Sequence, residues 1–350
     1  GGGIYIEGTS LTLNAGTVVG NKNASKTAIN LACSNYANNL GGGIYAKNTN
    51  VTMNEGSCVM YNYAHNSSGG GLYVENGSLT VTNAKINYNY STFTGKTGSG
   101  GALKLAGTAS MTINGDESEI AYNGSLYKGA GIELTETSSC TMNAGSIHDN
   151  INNNRSDEGF GVGVCIASGT TFTMTGGKIY GNMYKNVTVH KFADAIYVGG
   201  KLNLSGNAYI APDNDVYLAS GNFVTVTGEL TGESSVATPT PDSYEENRIM
   251  IKGGSSYNLV SSDCKLLSVT ENSAENKMYR VVLDSPSNSG ILKEAKTVVS
   301  PELSGVRFIP STNFVSSNLL QTGEQTVSFV VQKKVISADG ETFEYTDCNM

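Results

Sequence analysis

The chain has 350 residues, 39% hydrophobic and 15% charged, with a formal net charge of −8 and an isoelectric point near 5.0. That balance excludes a nucleic-acid binder working by phosphate neutralisation, since arginine occurs only at Arg155, Arg248, Arg280 and Arg307 and no basic stripe forms. Glycine at 43 positions, 19 tyrosines and no tryptophan describe strands and turns with little helix, and no apolar run is long enough for a membrane-spanning helix.

The first predicted strand follows a glycine cluster, Gly1-Gly2-Gly3-Ile4-Tyr5-Ile6, and returns as Gly41-Gly42-Gly43-Ile44-Tyr45, Gly69-Gly70-Gly71-Leu72-Tyr73, Gly100-Gly101-Ala102-Leu103, Gly129-Ala130-Gly131-Ile132, Gly161-Val162-Gly163-Val164 and Asp194-Ala195-Ile196-Tyr197. A second strand follows each time, from Leu11-Thr12-Leu13-Asn14 and Val51-Thr52-Met53-Asn54 through Phe172-Thr173-Met174-Thr175 to Leu202-Asn203-Leu204-Ser205. A third is an aliphatic residue three positions before Asn: Val18 to Asn21, Val59 to Asn62, Ile86 to Asn89, Ile120 to Asn123, Ile147 to Asn150 and Ile179 to Asn182, with Ile210 to Asp213 as a variant. Repetition at this period with strand alternation inside each unit signals a stacked solenoid.

Alternation sorts the residues of each strand by face. Ile4 and Ile6, Leu72 and Val74, and their equivalents point inward, so each coil buries about five apolar side chains, each contributing about 1.5–3 kcal/mol. The glycines serve a tight corner, and the Asn column is expected to turn the next corner, amide stacked on amide. The six cysteines, Cys33, Cys58, Cys140, Cys165, Cys264 and Cys348, lack CxxC spacing, and most of them read as buried free thiols.

GGGIY, LTMN and aliphatic-x-x-N in succession resemble the right-handed parallel β-helix repeats of bacterial surface proteins, including the chlamydial polymorphic outer-membrane proteins and adhesin-like repeats of the pectate-lyase-like superfamily. The resemblance covers residues 1 to about 213, with Val or Ile standing where the chlamydial FxxN has Phe. It implies an all-β, single-stranded right-handed parallel β-helix with three short strands per coil and a β-rich C-terminal continuation or cap. Residues 1–232 hold the repeats, 233–300 continue or cap them, and 301–350 form a further β-rich segment, possible start of another module. The chain opens on a strand of a coil already in progress, so the expectation is a piece of a longer, exported polypeptide.

Between the third strand and the next glycines the chain makes longer excursions, at residues 22 to 40, 63 to 68, 90 to 99, 124 to 128, 151 to 160 and 183 to 193, which must emerge along one edge. They carry Tyr36, Tyr90, Phe93, Tyr127, Tyr184 and His190, a candidate recognition surface on a rigid scaffold. The outward residues Tyr5, Tyr45 and Tyr73 fall on adjacent coils and form a candidate aromatic strip for sugar rings or a protein partner.

Catalysis is weighed against these. Glycoside hydrolysis wants two carboxylates at a fixed separation, and lyase chemistry wants carboxylates for calcium with a basic proton acceptor. The outward column Tyr5, Tyr45, Tyr73, Lys104, Glu133, Cys165 and Tyr197 stacks no such pair, Asp157 and Glu158 sit in a loop, and His148 beside Asp149 lacks a nucleophile. The threonine column Thr12, Thr52, Thr80, Thr112, Thr141 and Thr173 suits a solvated strand better than an ice-binding face. No catalytic residue, metal or cofactor is assigned. The expected function is a non-catalytic, extracellular adhesin-like stalk on the bacterial cell surface that presents loops and the strip to a glycan or surface protein. The alternatives are a carbohydrate-active β-helix enzyme and a purely structural spacer.

Overall fold

The computed structural model describes residues 1–21, 35–92, 99–153, 160–184, 195–212, 214–232, 235–272, 274–275 and 277–295, and the backbone of strands Glu302–Leu303, Val306–Pro310, Phe329–Ile336 and Phe343–Asp347. The chain divides into two compact units, Gly1–Glu294 and Ala295–Met350.

The first unit is a parallel β-solenoid whose equivalent strands stack into long sheets. Sheet A collects the strands after the glycines, from Ile4–Glu7, Ile44–Lys47 and Leu72–Glu75 to Val216–Leu218 and Pro239–Pro241, nine in all. Sheet B begins with Ser10–Leu13 and Asn50–Met53 and has eleven strands; sheet C begins with Val18–Gly20 and has seven. Pairing is in register with the repeats, Ile4 beside Ile44 beside Leu72, Leu11 beside Val51 beside Leu79.

To the three strands expected in each coil the structure adds a fourth. Sheet D contains six short strands, among them Tyr36–Ala37, Tyr63–His65, Tyr90–Thr92 and Gly124–Ser125, lying directly after the Asn. Residues expected to begin the excursions at 63, 90, 124, 151 and 183 are therefore paired strand. Their inward residues Ala64, Ser91, Ser125 and Asn152 are small or polar yet fully buried, so the apolar alternation that marks the other strands is missing. In the first coil Val19, not Val18, is the core residue, because Val19 pairs with Val59.

The core runs the length of the unit. In the third coil Leu72, Val74, Leu79, Val81 and Ile86 are all 0–1% exposed, matching the five side chains expected. Ile4, Ile6 and Leu11 pack on it only partly buried. Two glycine roles separate at the corner before sheet A. Gly69 has φ +72°, a left-handed conformation costly for a residue with Cβ. Gly70 is needed for space: a Cβ there would lie 2.3 Å from the Gly101 carbonyl oxygen and 2.5 Å from the Tyr90 carbonyl carbon.

From Asn62 onward the asparagine column forms the ladder expected of it; at its start Asn35 donates to Asn62 Oδ1 at 2.9 Å, while the expected Asn21 falls opposite Tyr61 in the register of Val19 with Val59. Asn62 Nδ2 donates to Asn89 Oδ1 at 2.9 Å, Asn89 to Asn123 at 3.1 Å, Asn123 to Asn150 at 2.9 Å, Asn150 to Asn182 at 2.9 Å and Asn182 to Asn214 at 3.1 Å. Each amide also donates backward to a carbonyl of the preceding coil, as Asn123 does to Ile86 at 2.8 Å. Buried polar groups are tolerated only when partnered in this way. The variant at Asp213 falls outside the described residues, and Asn214 takes the ladder position.

After Ile249–Gly253 the parallel stacking of sheet B ends. That strand pairs antiparallel with Ser289–Ala295, and the hairpin partner Met278–Asp284 becomes the last strand of sheet B. A short helix, Ser261–Lys265, packs against it. The second unit is an antiparallel sheet in the order Glu302–Leu303, Val306–Pro310, Phe329–Ile336, Phe343–Asp347. Among the described residues no helix is long and apolar enough to cross a membrane.

Candidate functional site

Sheet A presents two adjacent outward columns because its strands alternate. One is Tyr5, Tyr45 and Tyr73; the other, two residues on, is Glu7, Lys47 and Glu75. The second column was missed in the sequence reading, although the same i, i+2 rule that placed the tyrosines reaches it. The tyrosines meet edge to face, Tyr5 with Tyr45 at 5.3 Å and 61° and Tyr45 with Tyr73 at 5.4 Å and 88°. In an edge-to-face pair, one ring touches by its rim, so its faces are left uncovered by that neighbour. Tyr5 is 56% exposed, while Tyr45 and Tyr73 are half-buried.

The charged column holds two of the three rings, Tyr5 and Tyr45, by their hydroxyls. Tyr5 donates to Glu7, Tyr45 donates to Glu75 Oε2 at 2.5 Å, and Lys47 Nζ lies 3.5 Å from Glu7. Burial, then the hydrogen bond to Glu75, raises the Tyr45 phenol well above its ordinary range; burial and nearby carboxylates push Tyr73 up to about 12. Both rings therefore stay protonated at neutral pH, and Tyr45 acts as a donor. The hydrogen bond from Tyr5, then the Lys47 charge, holds Glu7 below the ordinary carboxylate value. A general acid of a glycosidase needs the opposite shift.

The direction of the Glu7 shift fixes a pH dependence. A carboxylate depressed in the fold makes its contribution above its ordinary pKa and loses it as pH falls through the lower folded value. The stability supplied by the Tyr5–Glu7–Lys47 contacts is expected to be full above the ordinary carboxylate value and to be lost as pH falls through the lower folded value, as denaturant midpoints at acidic pH would record.

Further along sheet A the outward column changes character. Lys104 Nζ lies 2.9 Å from Glu133 Oε2, Ser99 donates to the same carboxylate, and Glu133 is only 5% exposed. Cys165 is also buried, so these outward positions are covered although they lie outside the core. Burial pushes the Cys165 thiol up to about 12, which leaves it no nucleophile at neutral pH. A depression of about 500 Å³ opens beside them, lined by Lys128, Glu133, Cys165, Tyr197, Ser220 and Asn222 among others. Tyr127 lies 6.5 Å from Phe160, with Lys128 over both rings at 4.9 and 5.1 Å, and Phe160 lies 4.8 Å from Tyr197 of the outward column.

The other predicted residues do not join this site. Tyr36 and Tyr90 lie on sheet D and flank Tyr63 in a stack at 5.5 and 6.0 Å; the Tyr90 hydroxyl accepts from Asn153 at 3.2 Å. Tyr184 ends the strand Met183–Tyr184. Phe93 and His190, like Asp157 and Glu158, lie outside the described residues.

A longer aromatic column went unnoticed in the sequence. Tyr61, Tyr88 and Tyr122, each directly before a ladder asparagine, have φ of 56°, 57° and 59° and stack at 4.8 and 5.0 Å with interplanar angles of 4° and 10°. The repeated Tyr-Asn dipeptide was the available signal. Parallel stacking covers the faces of Tyr88 on both sides, so this column offers rims and hydroxyls rather than platforms. It ends at His148, which stacks on Tyr180 at 4.6 Å and contacts Asp149 at 2.9 Å, with Glu119 at 4.0 Å. The threonine column of sheet B is in register from Thr12 to Thr173. Beside it the Asn143 amide donates to Asn114 Oδ1 at 2.8 Å.

The described cysteines Cys58, Cys140, Cys165 and Cys264 are free thiols, and no group of acidic, His and Cys side chains among the described residues is arranged to hold a metal. Fold and site together define a parallel β-solenoid with an outward aromatic and charged strip on one sheet. Comparison with known protein families, characterised proteins and solved structures gives no match.

Proposed function

We propose that this chain is a non-catalytic, exported bacterial surface solenoid that holds a glycan along the outward face of sheet A. The carrying observation is the edge-to-face set Tyr5, Tyr45 and Tyr73 beside Glu7, Lys47 and Glu75. Aromatic faces bury the apolar side of a pyranose, and adjoining carboxylates and an ammonium take its hydroxyls, a pairing typical of a binding surface with few, placed polar groups. The rigid ladder beneath fixes the ring spacing, so little ordering entropy is spent on binding. Localisation at the cell surface and an adhesin-like role rest on the resemblance of the repeats to those of bacterial surface proteins.

One observation favours a second reading, a carbohydrate-active enzyme: Glu7 and Glu75 stand on either side of Lys47, two coils apart, about 10 Å by strand spacing. The depressed Glu7 carboxyl weighs against it. Incubating the chain with a panel of neutral and acidic oligosaccharides separates the two. Binding without new reducing ends or unsaturated products is the expected result; turnover that disappears with Glu7→Gln or Glu75→Gln would replace the proposal with the enzyme reading. No binding to any glycan would leave only the structural spacer.

A further inference from the structure

Past Glu75 the second outward column of sheet A loses its charged side chains and continues as Ala106, Thr135, Ala167, Gly199 and Ala219. Small residues in succession leave the sheet surface low, which is why the depression of about 500 Å³ opens there. That volume lies in the range of small-molecule sites, about 300–1,000 Å³. Cys165 and Glu133 of the neighbouring column line it while only 2% and 5% exposed. Three strand spacings, about 14 Å, lead from Tyr73 through Lys104 and Glu133 to Cys165, so the depression continues the face that carries the tyrosine strip.

Two charged residues line the depression, Glu133 and Lys128. Glu133 is neutralised by Lys104 at 2.9 Å and accepts from Ser99. The Lys128 ammonium rests over the Tyr127 and Phe160 rings at 4.9 and 5.1 Å, and among the described residues no carboxylate pairs with it. Ring faces hold an ammonium in place without engaging its N–H donors as a carboxylate would. The depression therefore carries one uncompensated positive charge, on a chain whose net charge is −8. A singly charged anion matches it; a phosphate monoester, with close to two charges, would bring one that is unmatched beside Glu133. A planar carboxylate is read best by the fork of an arginine, whereas the point charge of lysine suits a tetrahedral oxyanion. Lys128 precedes its strand of sheet A while Ser168, Ser220 and Asn222 follow theirs, so hydroxyl and amide groups stand on the opposite wall. We propose that the depression binds a sugar residue bearing a sulfate ester, with the sulfate on Lys128 and ring hydroxyls on Ser168, Ser220 and Asn222. The inference rests on the reading of sheet A as a glycan-binding face and names the class of sugar that it selects.

Titration calorimetry of the whole chain with the 6-sulfates of glucose, galactose and N-acetylglucosamine, each beside its unsulfated parent, tests the proposal. At least one sulfate is expected to bind about tenfold tighter than its parent, the gain from one charge-assisted hydrogen bond. Lys128→Gln is expected to erase that preference, and Lys128→Arg, which keeps the charge over the rings, to retain it. Ala219→Leu fills the floor and is expected to abolish sulfate binding, while an uncharged oligosaccharide binds at Tyr45 as in wild type; native circular dichroism is checked for each variant. The two readings fail separately. Wild type that binds no uncharged oligosaccharide contradicts the strip, whereas the sulfate site is overturned by sulfates bound no tighter than their parents, by a preference that survives Lys128→Gln, or by tighter binding of the matching 6-phosphates or uronates.

Discussion

Asn123→Ala is expected to destabilise the solenoid by about 3–5 kcal/mol, read from the denaturant midpoint with an unchanged slope. Asn123 is 1% exposed and makes bonds in both axial directions. Its amide donates to Ile86 O at 2.8 Å, Ala121 O at 3.0 Å and Asn150 Oδ1 at 2.9 Å, and its oxygen accepts from the Asn89 backbone N–H at 2.9 Å and the Asn89 amide at 3.1 Å. Alanine leaves the Asn89 N–H buried without its acceptor and breaks the ladder between two coils, and in a repeat fold the nearest-neighbour interface carries the cooperativity.

Asn123→Asp is expected to cost more than Ala at neutral pH. It keeps the acceptor but removes every donor, setting a buried carboxylate against the Ile86 and Ala121 carbonyls. Its folded pKa would be raised, so the added cost is full above that value and eases as pH falls through it. Thr112→Ala, half-exposed on sheet B, is expected to stay within about 0.5 kcal/mol of wild type. Equal losses at Asn123 and Thr112 would mean that the ladder is an ornament of the fold and not its seam.

The repeats made the β-solenoid legible because each strand carries its own alternation and each corner its own residue. Where a strand lacked that signature it escaped notice. The fourth strand has two or three residues, its inward side chains are Ala, Ser and Asn, and excursions of unequal length follow it. Val18 and Val19 are equally apolar, so only pairing with Val59 could choose between them. The placement of the candidate site's residues was legible only in part. Tyr5, Tyr45 and Tyr73 could be aligned from sequence, and Glu7, Lys47 and Glu75 followed from the same periodicity. Ring orientation could not be read in advance. Tyr5, Tyr45 and Tyr73 meet at 61° and 88°, whereas Tyr197 and Tyr217 further along the same sheet stack at 11°, much as Tyr61, Tyr88 and Tyr122 do at 4° and 10°. Tyr127 could be placed near the outward column only once the loops and sheet A were seen together.

The edge-to-face geometry of Tyr5, Tyr45 and Tyr73, against the covered faces of Tyr88, is the ground on which the glycan is proposed to lie on sheet A. Tyr45→Ala removes the central ring and the partner of Glu75, and is expected to lower affinity by about 10–100-fold, equivalent to about 1.4–2.8 kcal/mol. Tyr88→Ala removes a ring of the same chemistry whose faces are already covered by Tyr61 and Tyr122, and is expected to leave affinity unchanged while costing stability. Titration calorimetry of wild type, Tyr45→Ala and Tyr88→Ala with one bound oligosaccharide, each variant checked for native circular dichroism, compares the two columns directly. The account predicts loss of affinity in Tyr45→Ala alone; equal affinity in wild type and Tyr45→Ala, or loss confined to Tyr88→Ala, would contradict it.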